Sequence, residues 1–116
     1  MLAIVDLSRA IELDPKDPFP FYDRGIAYSD LGEADRAIAD YSEAIRLNPD
    51  EAKYYNNRGN ARIDNKEVEA AFADYDQAIK LDPKFALAYY NRARLFRGQG
   101  DIDAAERDIA AAEAIE

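Results

Sequence analysis

The chain has 116 residues, with 15 Lys+Arg against 24 Asp+Glu and a formal net charge of −9. With 48% hydrophobic and 34% charged residues it has the balance of a folded domain or short repeat array, not of a disordered acidic tail. The absence of Cys and His excludes disulfides, thiolate chemistry, Cys/His zinc sites and imidazole acid–base work, and the acidic balance argues against nucleic-acid binding.

No apolar run reaches the roughly 18 residues that span a bilayer. Leu2 to Val5 is short and no basic residue precedes it, so it is not read as a secretory signal, and a cytoplasmic location is expected. The first element is an apolar-periodic stretch over 2–13, closing on Ala10-Ile11-Glu12-Leu13-Asp14-Pro15. The same phrase returns as Ala44-Ile45-Arg46-Leu47-Asn48-Pro49 and as Ala78-Ile79-Lys80-Leu81-Asp82-Pro83, a period of 34 residues. At that period Ala3 recurs as Ala37, Ala71 and Ala105, Asp6 as Asp40, Asp74 and Asp108, Arg24 as Arg58 and Arg92, and Gly25 as Gly59 and Ala93. A fixed period dictates architecture before any local propensity does. It divides the chain into a partial unit 1–17, units 18–51 and 52–85, and a shortened unit 86–116.

Within each unit, helical periodicity runs on either side of a short break: Leu31-Gly32-Glu33, Asn65-Lys66-Glu67 and Gln99-Gly100-Asp101. Gly32 and Gly100 suit the left-handed position after a helix, where Lys66 would be strained. The prolines end the second helix of each unit, because proline cannot extend the hydrogen-bond ladder. The spacing predicts first helices (A) over 19–31, 53–65 and 86–98 and second helices (B) over 2–13, 34–47, 68–81 and 102–115, with no strand. Such hairpins cannot bury their apolar faces alone. They are expected to stack as an all-α solenoid, about three and a half repeats in a right-handed superhelix around one continuous core.

Unit 18–51 carries Phe21, Gly25, Tyr28, Gly32, Ala37, Tyr41, Ala44 and Pro49 at the signature places of a known repeat. Unit 52–85 carries Tyr55, Gly59, Ala71, Tyr75, Ala78 and Pro83, with Arg62 and Lys66 as departures. Unit 86–116 has Tyr89, Ala93, Phe96, Gly100, Ala105 and Ala112, with Ile109 in place of the aromatic. Over its whole length the chain thus resembles the tetratricopeptide repeat family. Packing accounts for the pattern: Gly25, Gly59 and Ala93 would let helix A approach Ala37, Ala71 and Ala105, and Tyr41 and Tyr75 would wedge between hairpins.

Arg24, Arg58 and Arg92 recur in phase with the aspartates. They form either a structural ladder of Arg–Asp pairs or a row gripping a ligand carboxylate, and the in-phase partners favour the ladder. Asp101-Ile102-Asp103 and Asp74-Tyr75-Asp76 lack the glycine and glutamate of a calcium loop, and Gly98-Gln99-Gly100 follows no strand. No carboxylate pair has a sheltered setting, so neither catalysis nor a metal or cofactor is expected.

By helical spacing and the family pattern, the A helices would line a concave groove. The first would present Phe19, Tyr22, Asp23, Ile26, Ser29 and Asp30. The second would present Lys53, Asn56, Asn57, Asn60, Ile63 and Asp64, and the third Leu87, Tyr90, Asn91, Arg94 and Arg97. Asp23, Asp30 and Asp64 balance Lys53, Arg94 and Arg97 there. Asn57 and Asn91 hold equivalent places, either to grip an extended peptide or as tolerated residues on a solvated face. The carboxylate clamp of some relatives corresponds to Tyr22, Ile26, Asn57, Leu87 and Asn91, of which only Asn57 fits, so chaperone-tail binding is not expected. At the ends, Leu2, Ala3, Leu7 and Ala10 would be partly uncovered, as in an excerpt of a longer array or a chain whose ends find partners. The expected function is a non-catalytic scaffold holding a peptide or partner helix in the groove. The alternative is homo-oligomerisation through the terminal helices.

Overall fold

The turns between repeats follow from one residue pair. In the computed structural model, which describes residues 3–115, Asp14, Asn48 and Asp82 each accept through Oδ1 from the backbone N–H two residues on, at 3.1, 3.3 and 3.1 Å. The proline after each fixes φ and stiffens this side-chain turn. Asp17 then caps the next helix by accepting from Phe19 N, with Pro18 as its first residue.

Among the described residues seven helices result: α1 (Ile4–Leu13), α2 (Pro18–Asp30), α3 (Ala34–Leu47), α4 (Ala52–Asp64), α5 (Val68–Leu81), α6 (Ala86–Gly98) and α7 (Ile102–Ile115). Among the described residues there is no strand, and no helix is long and apolar enough to cross a membrane. The predicted boundaries differ from these by one or two residues at most; Leu2 lies outside the described residues.

The turn inside each hairpin is the same motif three times. Glu33 N donates to Tyr28 O at 2.9 Å and Gly32 N to Ser29 O at 3.0 Å, satisfying two carbonyls that the helix end leaves open. Lys66 and Glu67, then Gly100 and Asp101, repeat those bonds. The motif requires positive φ at its centre, and Gly32, Lys66 and Gly100 adopt 77°, 63° and 83°.

Helices pack as α2 on α3, α4 on α5 and α6 on α7, and the pairs meet through α3·α4 and α5·α6, with α1 on α2. Nearest-neighbour stacking draws the molecule out to 47 × 25 × 22 Å. The wedging role of Tyr41 holds: its ring is buried with Ala37 of its own helix and Ala61 of α4 in the next hairpin. Full burial of such a side chain contributes on the order of 2–3 kcal/mol.

A Cβ on Gly25 would lie 2.7 Å from Cε1 of Tyr41, and one on Gly59 the same distance from Cε1 of Tyr75. The missing side chain therefore makes room for a tyrosine ring, a partner the spacing alone does not name. The third hairpin changes both members together, to Ala93 and Ile109. Leu7 is corrected: expected to be partly uncovered, it is 2% exposed, because α2 covers it. Ala3 is exposed and Ala10 half-buried.

Candidate functional site

An arginine ladder runs along the stack. Arg24 donates from Nε and Nη2 to the two oxygens of Asp40, each at 2.7 Å, and from Nη1 to Ser8 Oγ at 3.1 Å. Arg58 does the same to Asp74 at 2.9 and 2.8 Å and to Ser42 at 3.1 Å. Arg92 repeats it with Asp108 at 2.8 and 2.6 Å and Asp76 at 2.9 Å. Each guanidinium thus ties its own hairpin together and fastens it to the preceding B helix. A planar fork on a buried carboxylate is the geometry that makes such pairs strong. Hydrogen bonding to Asp40 and Asp108 holds Arg24 and Arg92 even more firmly protonated than usual.

The rings of Phe21, Tyr55 and Tyr89 flank these arginines at 5.9, 5.7 and 5.7 Å, and Tyr28 and Phe96 add second rings at 5.8 Å. In the second hairpin Arg62 stands where those second rings stand, and it donates to Asp74 at 2.9 Å instead. With their donors engaged on the chain itself, the three arginines form a structural ladder, not a ligand-gripping row. Asp6 is exposed and outside the ladder. The partners Ser8, Ser42 and Asp76 recur at the same period, a signal legible in the sequence.

The predicted groove residues separate into two groups. Phe19, Lys53, Arg94 and Arg97 are exposed, and Tyr22, Ile26, Asn57, Asn60 and Tyr90 are half-buried. Asn56 and Asn91 are corrected: at 1% and 6% exposure they are inside the stack. Asn91 Nδ2 donates to Asn56 Oδ1 at 3.0 Å, joining α6 to α4, while Arg94 donates to Asn91 Oδ1 at 3.1 Å. One repeat earlier, Asn57 Nδ2 donates to the Tyr22 hydroxyl at 2.9 Å, joining α4 to α2. These amides hold neighbouring A helices together, so Asn91 is not a second grip on an extended chain.

Between α2 and α4 lies a pocket of about 220 Å3, lined by Ile26, Ser29, Asp30, Tyr41, Asn57 and Asn60. Tyr41 forms part of it although its sequence position marks a core residue. Burial raises the pKa of Tyr41 well above the ordinary phenol value, so its hydroxyl stays neutral. Burial likewise raises that of Tyr22, whose ring stacks on Tyr54 at 4.8 Å and carries Lys53 Nζ 5.3 Å from its centre. The lining combines an apolar wall, neutral hydrogen-bonding groups and one carboxylate. Among the described residues no cluster of acidic side chains could hold a metal ion.

A family model described as tetratricopeptide repeat matches residues 22–84, and a second with the same description matches residues 74–107. Two crystal structures of MamA are similar to this chain, with TM-scores of 0.90 and 0.88 at 25% and 27% identity. Both alignments cover 97% of this chain, but only 66% and 62% of those chains, so this chain spans somewhat less than two thirds of their length. The second TPR of Spaghetti (RPAP3), bound to HSP90 peptide SRMEEVD, matches with a TM-score of 0.81 and 27% identity. That alignment covers 86% of this chain and 93% of the other. No curated protein sequence matches.

Proposed function

The chain belongs to the tetratricopeptide repeat family, and from that premise we propose that it is a non-catalytic interaction scaffold whose concave face holds an extended peptide. One observation carries this reading: the pocket between α2 and α4, where Ile26 supplies apolar contact above the buried Tyr41 and Asn57 and Asn60 supply amide groups. A structural neighbour bound to an HSP90 peptide supports a peptide as the kind of partner. The residues proposed to meet it are Tyr22, Ile26, Asn57 and Asn60, with Phe19, Lys53, Tyr90, Arg94 and Arg97 along the rim. A cytoplasmic setting is part of the same reading.

The test is selection of blocked heptapeptides from a random library, followed by titration against Ser29→Trp. That variant fills the pocket from α2 without touching the ladder. Loss of at least tenfold in affinity, in a chain whose helical circular dichroism shows it folded, is the expected result. Unchanged binding by Ser29→Trp would count against the groove.

A second reading, self-association through the end helices, is favoured by one observation: Val5 and Leu13 on α1 are 68% and 82% exposed. Light scattering after gel filtration separates the two. A mass of 13.1 kDa at all concentrations supports the first reading, and a larger species broken by Val5→Glu supports the second.

A further inference from the structure

We propose that the pocket between α2 and α4 selects a lysine or arginine side chain, its aliphatic stem along Ile26 and its cation at Asp30. The proposal rests on the reading of the concave face as a peptide groove and adds what that groove selects.

The lining decides the sign of the occupant. Asp30 is the one charged group among Ile26, Ser29, Asp30, Tyr41, Asn57 and Asn60, and it is exposed. Among the described residues it takes part in none of the ion pairs, which engage other carboxylates. Tyr41 keeps its proton, so nothing else in the pocket is charged. Asn57 has its Nδ2 committed to Tyr22, which leaves its oxygen as an acceptor. An acidic side chain would meet Asp30 with like charge. An apolar one would cover that carboxylate without replacing its water. A cation on a flexible stem answers both, since such side chains lay their methylenes on apolar surface and keep the charged head at a carboxylate.

The chain itself shows the alternative arrangement 34 residues on. Asp64 repeats Asp30, Tyr75 repeats Tyr41, and Arg94 stands where Asn60 stands. At the second place the repeat thus carries a cation of its own, Arg94, which donates to Asn91 Oδ1 at 3.1 Å. The first place has the neutral Asn60 there and no cation among its lining residues, so a basic side chain from outside would supply one.

The experiment uses a bead library of acetylated, amidated heptapeptides on the intact chain and on four variants. Asp30→Asn removes the proposed partner, and Asp50→Asn removes an equal charge from an exposed turn, as a control for the overall negative charge. Asn60→Arg installs the internal cation, and Ser29→Trp fills the pocket. The original chain and Asp50→Asn are expected to enrich Lys or Arg at one aligned position about threefold to fivefold, the range for an exposed charge pair. Asp30→Asn is expected to lose that preference, and so is Asn60→Arg, which also gives up an amide of the groove. A basic preference that survives in Asp30→Asn overturns the proposal. So does its absence in the original chain when Ser29→Trp still blocks binding, and that outcome leaves the groove intact. If no selected peptide is sensitive to Ser29→Trp, the groove reading fails with it.

Discussion

Arg58 and Asp74, 16 residues apart, meet through two hydrogen bonds of 2.9 and 2.8 Å, and the same carboxylate also accepts from Arg62 at 2.9 Å. Asp74 is 3% exposed, so one buried anion balances two cations. In the neighbouring hairpins the place of Arg62 is held by an aromatic ring, and the ladder there is one cation to one buried anion.

Removing that anion strands two guanidinium groups instead of one. Asp74→Asn is expected to cost about 3–5 kcal/mol, the range for an orphaned buried charge, and clearly more than Asp40→Asn. Urea unfolding of both variants at neutral pH measures the difference. Equal costs would mean that Arg62 adds nothing to the pair.

The contact of Gly59 with Tyr75 gives a prediction with a built-in rescue. Gly59→Ala gains roughly 1 kcal/mol of helix propensity but forces its Cβ to within 2.7 Å of the Tyr75 ring. Overpacking costs of about 1–3 kcal/mol outweigh the gain, so the variant is expected to be less stable. Adding Tyr75→Ile copies the Ala93–Ile109 pair of the third hairpin and should cost less than the two single changes summed. Thermal or urea melts of the three variants complete the cycle.

Lys66 occupies the turn position that Gly32 and Gly100 hold in the other hairpins, at φ 63°. It is exposed, so its side chain has little packing to lose. Lys66→Gly is expected to raise stability by about 1 kcal/mol, because a Cβ in the left-handed region costs about that much. A lower urea midpoint for the glycine variant would contradict this.

Stability is expected to fall on the alkaline side. Burial pushes the Tyr75 phenol up to about 12, against the ordinary phenol value of 10.0, and it also raises Tyr22, Tyr41 and Tyr54. Between those values the unfolded chain has released protons that the folded chain keeps, so unfolding gains from each rise in pH. The stabilisation is complete below about pH 10 and is lost as pH climbs through the folded values. Urea midpoints at pH 8, 10 and 11, read beside tyrosinate absorbance, test it. A midpoint that does not move would show that these hydroxyls ionise as freely folded as unfolded.

Much of the fold was legible because a repeat writes each structural requirement several times. Pro15, Pro49 and Pro83 mark the joints, Gly32 and Gly100 mark the tight turns, and the phase of Arg24, Arg58 and Arg92 against Asp40, Asp74 and Asp108 is the ladder itself. Those features are local or strictly periodic, and period alone places them on a helix. The candidate site was legible only in part. Asn56 and Asn57 are neighbours on α4, about 100° apart around the helix axis. Both suit a solvated face by residue type, yet one is buried and the other lines the pocket.

The sequence by itself determined the helical hairpin, its period, its turn chemistry and the in-phase recurrence of its Arg and Asp residues, while the structure chose the aspartate of the same hairpin as each partner. The tertiary structure alone decided which face of each A helix closes against the next. It buried Asn56 and Asn91 as a bridge between helices, gave the space beside Gly25 and Gly59 to tyrosine rings, covered Leu7, and set the buried Tyr41 beneath the pocket. The physical reason is that these outcomes depend on how one hairpin is rotated against its neighbour. The packing of many side chains at once sets that rotation, and no spacing within a single helix records it.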